Sequence, residues 1–364
     1  DASKAVTTAA NLLSSERNSE FIAENAKQQI DLREAHQVKN QKPMLSITEA
    51  RANRFSVDWS QYTPPVPTQV GPQVMDDIPL ETICPFIDWS PFFHTWELRG
   101  RYPAIFQDTT LGPKATELFE DAQKLLKKII DQRLLQAKAV YGLFPANSDQ
   151  DDLLVYQDQD RADILTTFHS LRQQNLKSGG KPNFALADFL APKDSGCPDF
   201  LGAFAVTVGH GVDALCRQFD EDHDDYHSIM VKAIADRLAE GLAEKLHQQA
   251  RKEWGFGENE SFSNEDLIRE RYQGIRPAPG YPACPDHTEK KILWELLQVE
   301  ANIGIRLTES CAMWPASSVS GWYFSHPDAR YFAVGRIAPD QLKEYATRTG
   351  RTIEETQRWL APNL

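Results

Sequence analysis

The sequence has no GxGxxG after a strand-like run, no GxxxxGK[ST], no GxSxG and no HExxH. Those absences remove the dinucleotide fingerprint, the phosphate-binding loop, the strained nucleophile turn and the helical zinc pair. Positive charge is also short. Lys and Arg number 39 against 52 Asp and Glu, for a net charge of −13 and a pI near 5.2. A general binder of nucleic acid or anionic membrane needs a cationic surplus to neutralise phosphate, so neither class is expected. No apolar run approaches the roughly eighteen residues of a membrane span, and the opening segment is too polar for a secretory leader. Cys84, Cys197, Cys216, Cys284 and Cys311 are scattered, odd in number and never at CxxC spacing. That pattern fits a reduced, cytoplasmic compartment rather than a disulfide framework. The chain opens on Asp1 rather than Met, so a piece of a longer protein is expected.

What is present suffices for a core. Hydrophobic residues make up 41%, with eight Trp and eighteen Phe, well above a disordered composition. Residues 2 to about 36 read as helix, with Ala5, Val6, Ala9, Leu12 and Leu13 at helical spacing. A basic stretch and the Pro-rich connector 62–73 follow, and the main domain is placed from residue 41 to 364, with 1–40 as a helical extension. Long amphipathic helices are predicted over 114–140 and 224–252. Strand-like runs are predicted at 142–146, 153–157, 162–167, 184–190 and 202–208. A third helix near 289–301 opens on Asp286 and Glu289, spaced as a capping box. Two aromatic strands after residue 312 and two short C-terminal helices complete the pattern. Long helices beside mainly antiparallel strands predict an α+β fold with one large domain.

The densest local signal is GIRPAPGYPACPDHTE, 274–289. Its prolines fix φ and remove backbone donors, so the shape of the loop is largely set in advance. Inside it lie one cation, Arg276, one joint, Gly280, and one aromatic with a polar tip, Tyr281. It is either a rigid crossover or one wall of a site. Upstream, Phe86, Trp89, Phe92, Phe93, Trp96 and Tyr102 crowd around Asp88, which is either a helix cap or a charge held for a partner. His223 and His227 are spaced i, i+4, but nothing completes a zinc ligand set. The remaining candidates are Arg276, Asp88, Glu240 and Glu270, with Tyr281, Tyr331 and Phe332. An arginine for a carboxylate, acids for cationic groups and an aromatic for a purine suit a zwitterionic nucleoside. Taken singly, each acid reads equally as a surface charge or a cap.

Long strings then carry a resemblance: FIDWSPFFHTWELRGRYP, VYGLFPAN, LADFLAPK, DFLGAFAVT, HDDYHSIMVKAIADRLAE, YQGIRPAPGYPACPDHTEK, AMWPASSVSGWYFSHPDARYFAV and RWLAPNL. The chain resembles the C-terminal reactivation module of cobalamin-dependent methionine synthase. The resemblance implies an S-adenosylmethionine-binding domain in a methyltransferase of methionine biosynthesis. Its RxxxGY motif falls on Arg276, Gly280 and Tyr281, with Ala278 offering backbone contacts. Its ligand-binding acids fall on Asp88, Glu240 and Glu270, and its aromatic pair on Tyr331 and Phe332. It further implies reductive methylation of cob(II)alamin, with one electron from flavodoxin or a flavoprotein reductase and the methyl from S-adenosylmethionine. Cobalamin and zinc are expected in other modules, and residues 1–40 then read as the tail of the cobalamin-binding module plus a linker. The alternative is a protein-interaction scaffold that docks the cobalamin module and the electron donor without a ligand of its own.

Overall fold

The computed structural model describes residues 2–40 and 43–364. Helices α1 (Ala2–Leu13) and α2 (Asn18–Asn40) pack on each other and leave Val6, Leu13 and Leu32 exposed. After them comes α3 (Ile47–Ala52), closed by a reciprocal Ser46–Glu49 cap. Residues 43–68 then run over the domain as a strap. The Leu45 N–H donates to the Gln174 carbonyl at 2.8 Å, the Asn53 carbonyl accepts from Asn183, and the Pro65 carbonyl accepts from the Trp254 indole at 3.1 Å.

The sheet contains β1 (Gly71–Met75), β2 (Gln136–Asp149), β3 (Asp152–Tyr156), β4 (Ile164–His169) and β5 (Asp199–His210). A short ribbon of β6 (Arg306–Leu307) and β7 (Met313–Trp314) stands apart, and β8 (Ser318–Tyr323) closes the sheet on β5. Every pairing is antiparallel, in the order β4-β3-β2-β5-β8, with β1 on the part of the β2 edge that β3 leaves free. On one face lie α4 (Ser90–Thr95), α5 (Gly112–Asp131), α6 (Val212–Glu221) and α7 (Asp225–Glu253), meeting Phe204, Val206 and Val208 of β5. The short α8 (Asn264–Ile268) follows α7. On the other face α9 (Glu289–Leu297) and α10 (Val299–Ile303) meet Leu201, Ala203 and Ala205. Since both faces are covered, β5 is buried from Asp199 to Gly209 and reads as a continuous apolar run, where a half-exposed strand would alternate. At the C-terminus α11 (Pro339–Arg348) and α12 (Ile353–Trp359) close a third apolar cluster over Leu171 and Val334.

The helix that positions the site is α7. Asp224 caps it by accepting from the His227 N–H at 3.1 Å, and Arg251 and Lys252 in its last turn complement the helix dipole. Leu238, Leu242 and Leu246 are almost fully buried, each contributing about 1.5–3 kcal/mol by leaving water. At Gly241 a Cβ would lie 3.3 Å from Ile83 and 3.4 Å from the Phe86 backbone, so glycine lets the 84–86 turn approach.

Five local expectations are corrected. The 114–140 helix stops at Asp131, where Arg133 takes a φ of +50°, and residues 136–140 belong to β2. The expected strand 184–190 is a 3-10 turn at Leu186–Phe189, because the Asp188 carboxylate turns inward to Arg172. The second aromatic strand, around Tyr331, is irregular. The expected 289–301 helix breaks at Gln298, which has a φ of +47°. Its capping box does not form: Asp286 accepts from the Thr288 N–H at 2.8 Å, while Glu289 is buried and accepts from the His169 N–H. Helix α6 had no counterpart among the expected elements. Among the described residues no helix is long and apolar enough to cross a membrane.

Candidate functional site

The 274–283 loop is docked on the sheet. Ile275 and Phe324 exchange backbone hydrogen bonds at 3.0 and 3.1 Å, and the Pro277 carbonyl accepts from the Trp322 N–H at 2.9 Å. Gly274 and Gly321 permit that approach, since a Cβ on either would meet backbone oxygen at 2.3 or 2.5 Å. The loop then folds on itself: Gly280 N–H donates to the Cys284 carbonyl at 2.7 Å and Tyr281 N–H to the Ala278 carbonyl at 3.2 Å. Gly280 has a φ of +90°, and a Cβ there would overlap the His287 ring at 2.2 Å, so no other residue fits without rearrangement.

Between this loop, β8, α7 and the segment after the His326 turn lies an open cavity of about 510 Å³. That size suits a small organic molecule, for which sites commonly run to several hundred Å³. Arg276, Ala278 and Tyr281 line it from the loop, and Glu240 lines it from α7. Glu270, Tyr331 and Phe332 line it from the connecting segments. Gly280 acts through the backbone and is not a lining residue. Asp88 also stands outside the lining. Its Oδ1 accepts from the Ser90 N–H at 2.9 Å, on the segment that follows the turn packed against Gly241.

Arg276 sets the electrostatics. Its side chain is 18% exposed and pairs with the Glu244 carboxylate at 2.7 Å. Burial opposes its charge, but Glu244, Tyr272, Tyr331 and Glu270 outweigh that and push its pKa up, so the guanidinium is held cationic. The Tyr331 hydroxyl accepts from the Arg276 N–H at 3.0 Å, and burial pushes that phenol up to about 12. Glu270 takes a φ of +51°, a conformation uncommon for a residue with a side chain and frequent at ligand sites. Phe332 packs behind the cavity against Phe184 and Phe189, with centroids at 5.8 and 6.3 Å. Sequence reasoning missed the apolar floor, Phe204 and Val319, and also Ser320, whose hydroxyl is buried without a partner. Only the β5–β8 pairing brings them here, and no local signal marks them. His227, half of the i, i+4 pair, bonds Asp224 through Nδ1 at 2.7 Å and stacks on Phe219.

An antiparallel sheet covered on both faces, with a guanidinium, two carboxylates and aromatic rings around one apolar cavity, defines an α+β domain with a cavity of small-molecule size. The chain belongs to the activation-domain family of vitamin B12 dependent methionine synthase, whose family model matches residues 79–350. It is similar to the crystal structure of the MetH reactivation domain bound to AdoHcy. Identity is 54% and the TM-score 0.87, covering 88% of this chain and 99% of that one.

Proposed function

We propose that the cavity binds S-adenosylmethionine and presents its sulfonium methyl for reductive methylation of cobalamin carried by a neighbouring module. The observation that supports this most is the meeting of Arg276, Glu240, Glu270, Tyr281 and Tyr331 around one cavity from four separate stretches of chain. The ligand's charges match: a carboxylate for Arg276, an ammonium and a sulfonium for Glu240 and Glu270. Tyr281, Tyr331 and Phe332 offer faces to the purine, and the Ala278 backbone offers polar contacts to the nucleoside. Asp88, which stands outside the lining, is assigned to complete the acidic side. The relative's bound AdoHcy is what S-adenosylmethionine becomes on losing its methyl.

The chain's part is binding and orientation. No proton leaves or joins the methyl donor, so alignment of the sulfonium carbon, rather than acid–base chemistry, is the contribution asked of these residues. The neighbouring module's cobalamin supplies the methyl acceptor, and a flavodoxin or flavoprotein reductase one electron. Five free cysteines fit a reducing, cytoplasmic setting.

Titration calorimetry tests the reading. S-adenosylmethionine is expected to bind the wild-type chain, and Arg276→Ala to weaken it by about 1.5–3 kcal/mol, roughly ten- to a hundredfold. No binding to the wild-type chain would overturn it.

A further inference from the structure

Arg276 can hold a ligand carboxylate in a fixed place only if something fixes Arg276 first. We infer that Glu244 and Tyr272 are positioning residues that bracket its guanidinium from behind; this rests on the reading that the ligand's carboxylate meets Arg276.

Three groups converge on a single nitrogen. The Glu244 Oε2 lies 2.7 Å from Arg276 Nη1, the Tyr272 hydroxyl accepts from the same Nη1, and His247 Nδ1 stands 3.5 Å away. Among the described residues, Nη2 and Nε of Arg276 make no such bond. That leaves an edge of the guanidinium for a carboxylate, which takes two parallel N–H donors. None of the three partners lines the cavity, so they act on the ligand only through Arg276. The bracket is itself held rigidly. His247 is sandwiched, stacked on Tyr323 at 4.8 Å and edge-on to Tyr272 at 4.9 Å. Arg251 lies 4.0 Å over the Tyr272 ring and is tied to Glu260 at 2.8 Å. Glu244 and Tyr272 are both under 9% exposed. The second Glu244 oxygen, Oε1, is buried without a partner. A pair kept for stability alone would be closed on both sides; this one is arranged around Arg276. Fixing the long arginine side chain in advance removes its ordering cost from binding.

The test compares S-adenosylmethionine with its decarboxylated form, by calorimetry on the whole chain. The readout is the ratio of the two affinities, which a change in overall stability does not move. Tyr272→Phe, nearly isosteric, is expected to lower the preference for the carboxylate form three- to tenfold. Glu244→Ala is expected to lower it tenfold or more, and Glu244→Gln, which restores an acceptor for Nη1, to bring it back within threefold of wild type. In Tyr272→Phe, which changes no charge, the decarboxylated form keeps its wild-type affinity. An unchanged ratio in Tyr272→Phe overturns the inference, as does a raised ratio in either Glu244 variant, which would make Glu244 a competitor of the ligand. Tyr272→Phe alone decides if Glu244→Ala does not fold. A wild-type chain that binds neither compound overturns the functional reading itself, and this with it.

Discussion

Arg172 and Arg276 are both guanidiniums set into the protein against carboxylates, and the difference in how their bonds are completed separates a structural centre from a site. Arg172 is 1% exposed and uses every edge. Its Nε donates to Asp151, Nη1 to the Asn183 carbonyl and Asp188, and Nη2 to Asp188, at 2.7–2.8 Å. The other Asp151 oxygen accepts from Arg51, which reaches on to Glu344. Arg276 spends one nitrogen, and its partner Glu244 keeps an oxygen unpaired. Closed polar networks rigidify; open ones in a cavity mark where something else is to complete them.

Arg172→Ala gives the largest expected effect. It strands Asp151 and Asp188 in the interior and should cost about 3–5 kcal/mol in denaturant unfolding. Whatever remains folded should bind S-adenosylmethionine with unchanged affinity. Arg276→Ala should show the reverse, a lost affinity with a smaller change in the unfolding midpoint; equal stability losses in the two would erase the contrast. Gly280→Ala comes next, at about 1–3 kcal/mol of strain in the unfolding curve, because the loop must shift from a left-handed φ and move away from His287.

A further effect concerns pH. Glu289, whose Oε2 accepts from the His169 N–H at the edge of the closed network, is pushed by burial from 4.5 up to about 8. Between those values the folded chain keeps a proton that the unfolded chain has lost. This group's contribution to stability therefore falls as pH rises through that window. Glu289→Gln should flatten that part of the stability profile, read as unfolding midpoints across the window, and should leave ligand affinity alone. An unaltered slope would show that Glu289 is ionised in the fold.

The helical and strand texts were largely legible, since α5 carries a long one-sided apolar stripe, α7 a long series of apolar residues and β5 a nearly unbroken apolar run. What misled was tertiary. Nothing local ends α5 at Asp131, with neither Gly nor Pro there; the chain turns because residues 136–140 are needed as a strand. Asp188 sits in an apolar string, yet its pairing with Arg172, sixteen positions away, replaces a strand with a tight turn. At the site, the proline density of the loop singled out Arg276, Gly280 and Tyr281 on physical grounds. Glu240, Glu270, Tyr331 and Phe332 drew their meaning from family resemblance, because single acids and aromatics carry no address. Glu244 went unremarked although it lies one helical turn beyond Glu240, since an acid on a half-apolar helix face looks like solvated surface.

The strap has a practical consequence for anyone trimming this protein. Phe55 on it packs at a tilt 5.4 Å from Phe184, and Phe184 lies against Phe332 on the cavity wall. Trp59 and Tyr62 flank His326, at the head of the turn that delivers Tyr331. A clone started at residue 79, where the family model begins, would keep every cavity-lining residue and lose the buttress behind two of them. The smallest useful piece begins before Leu45.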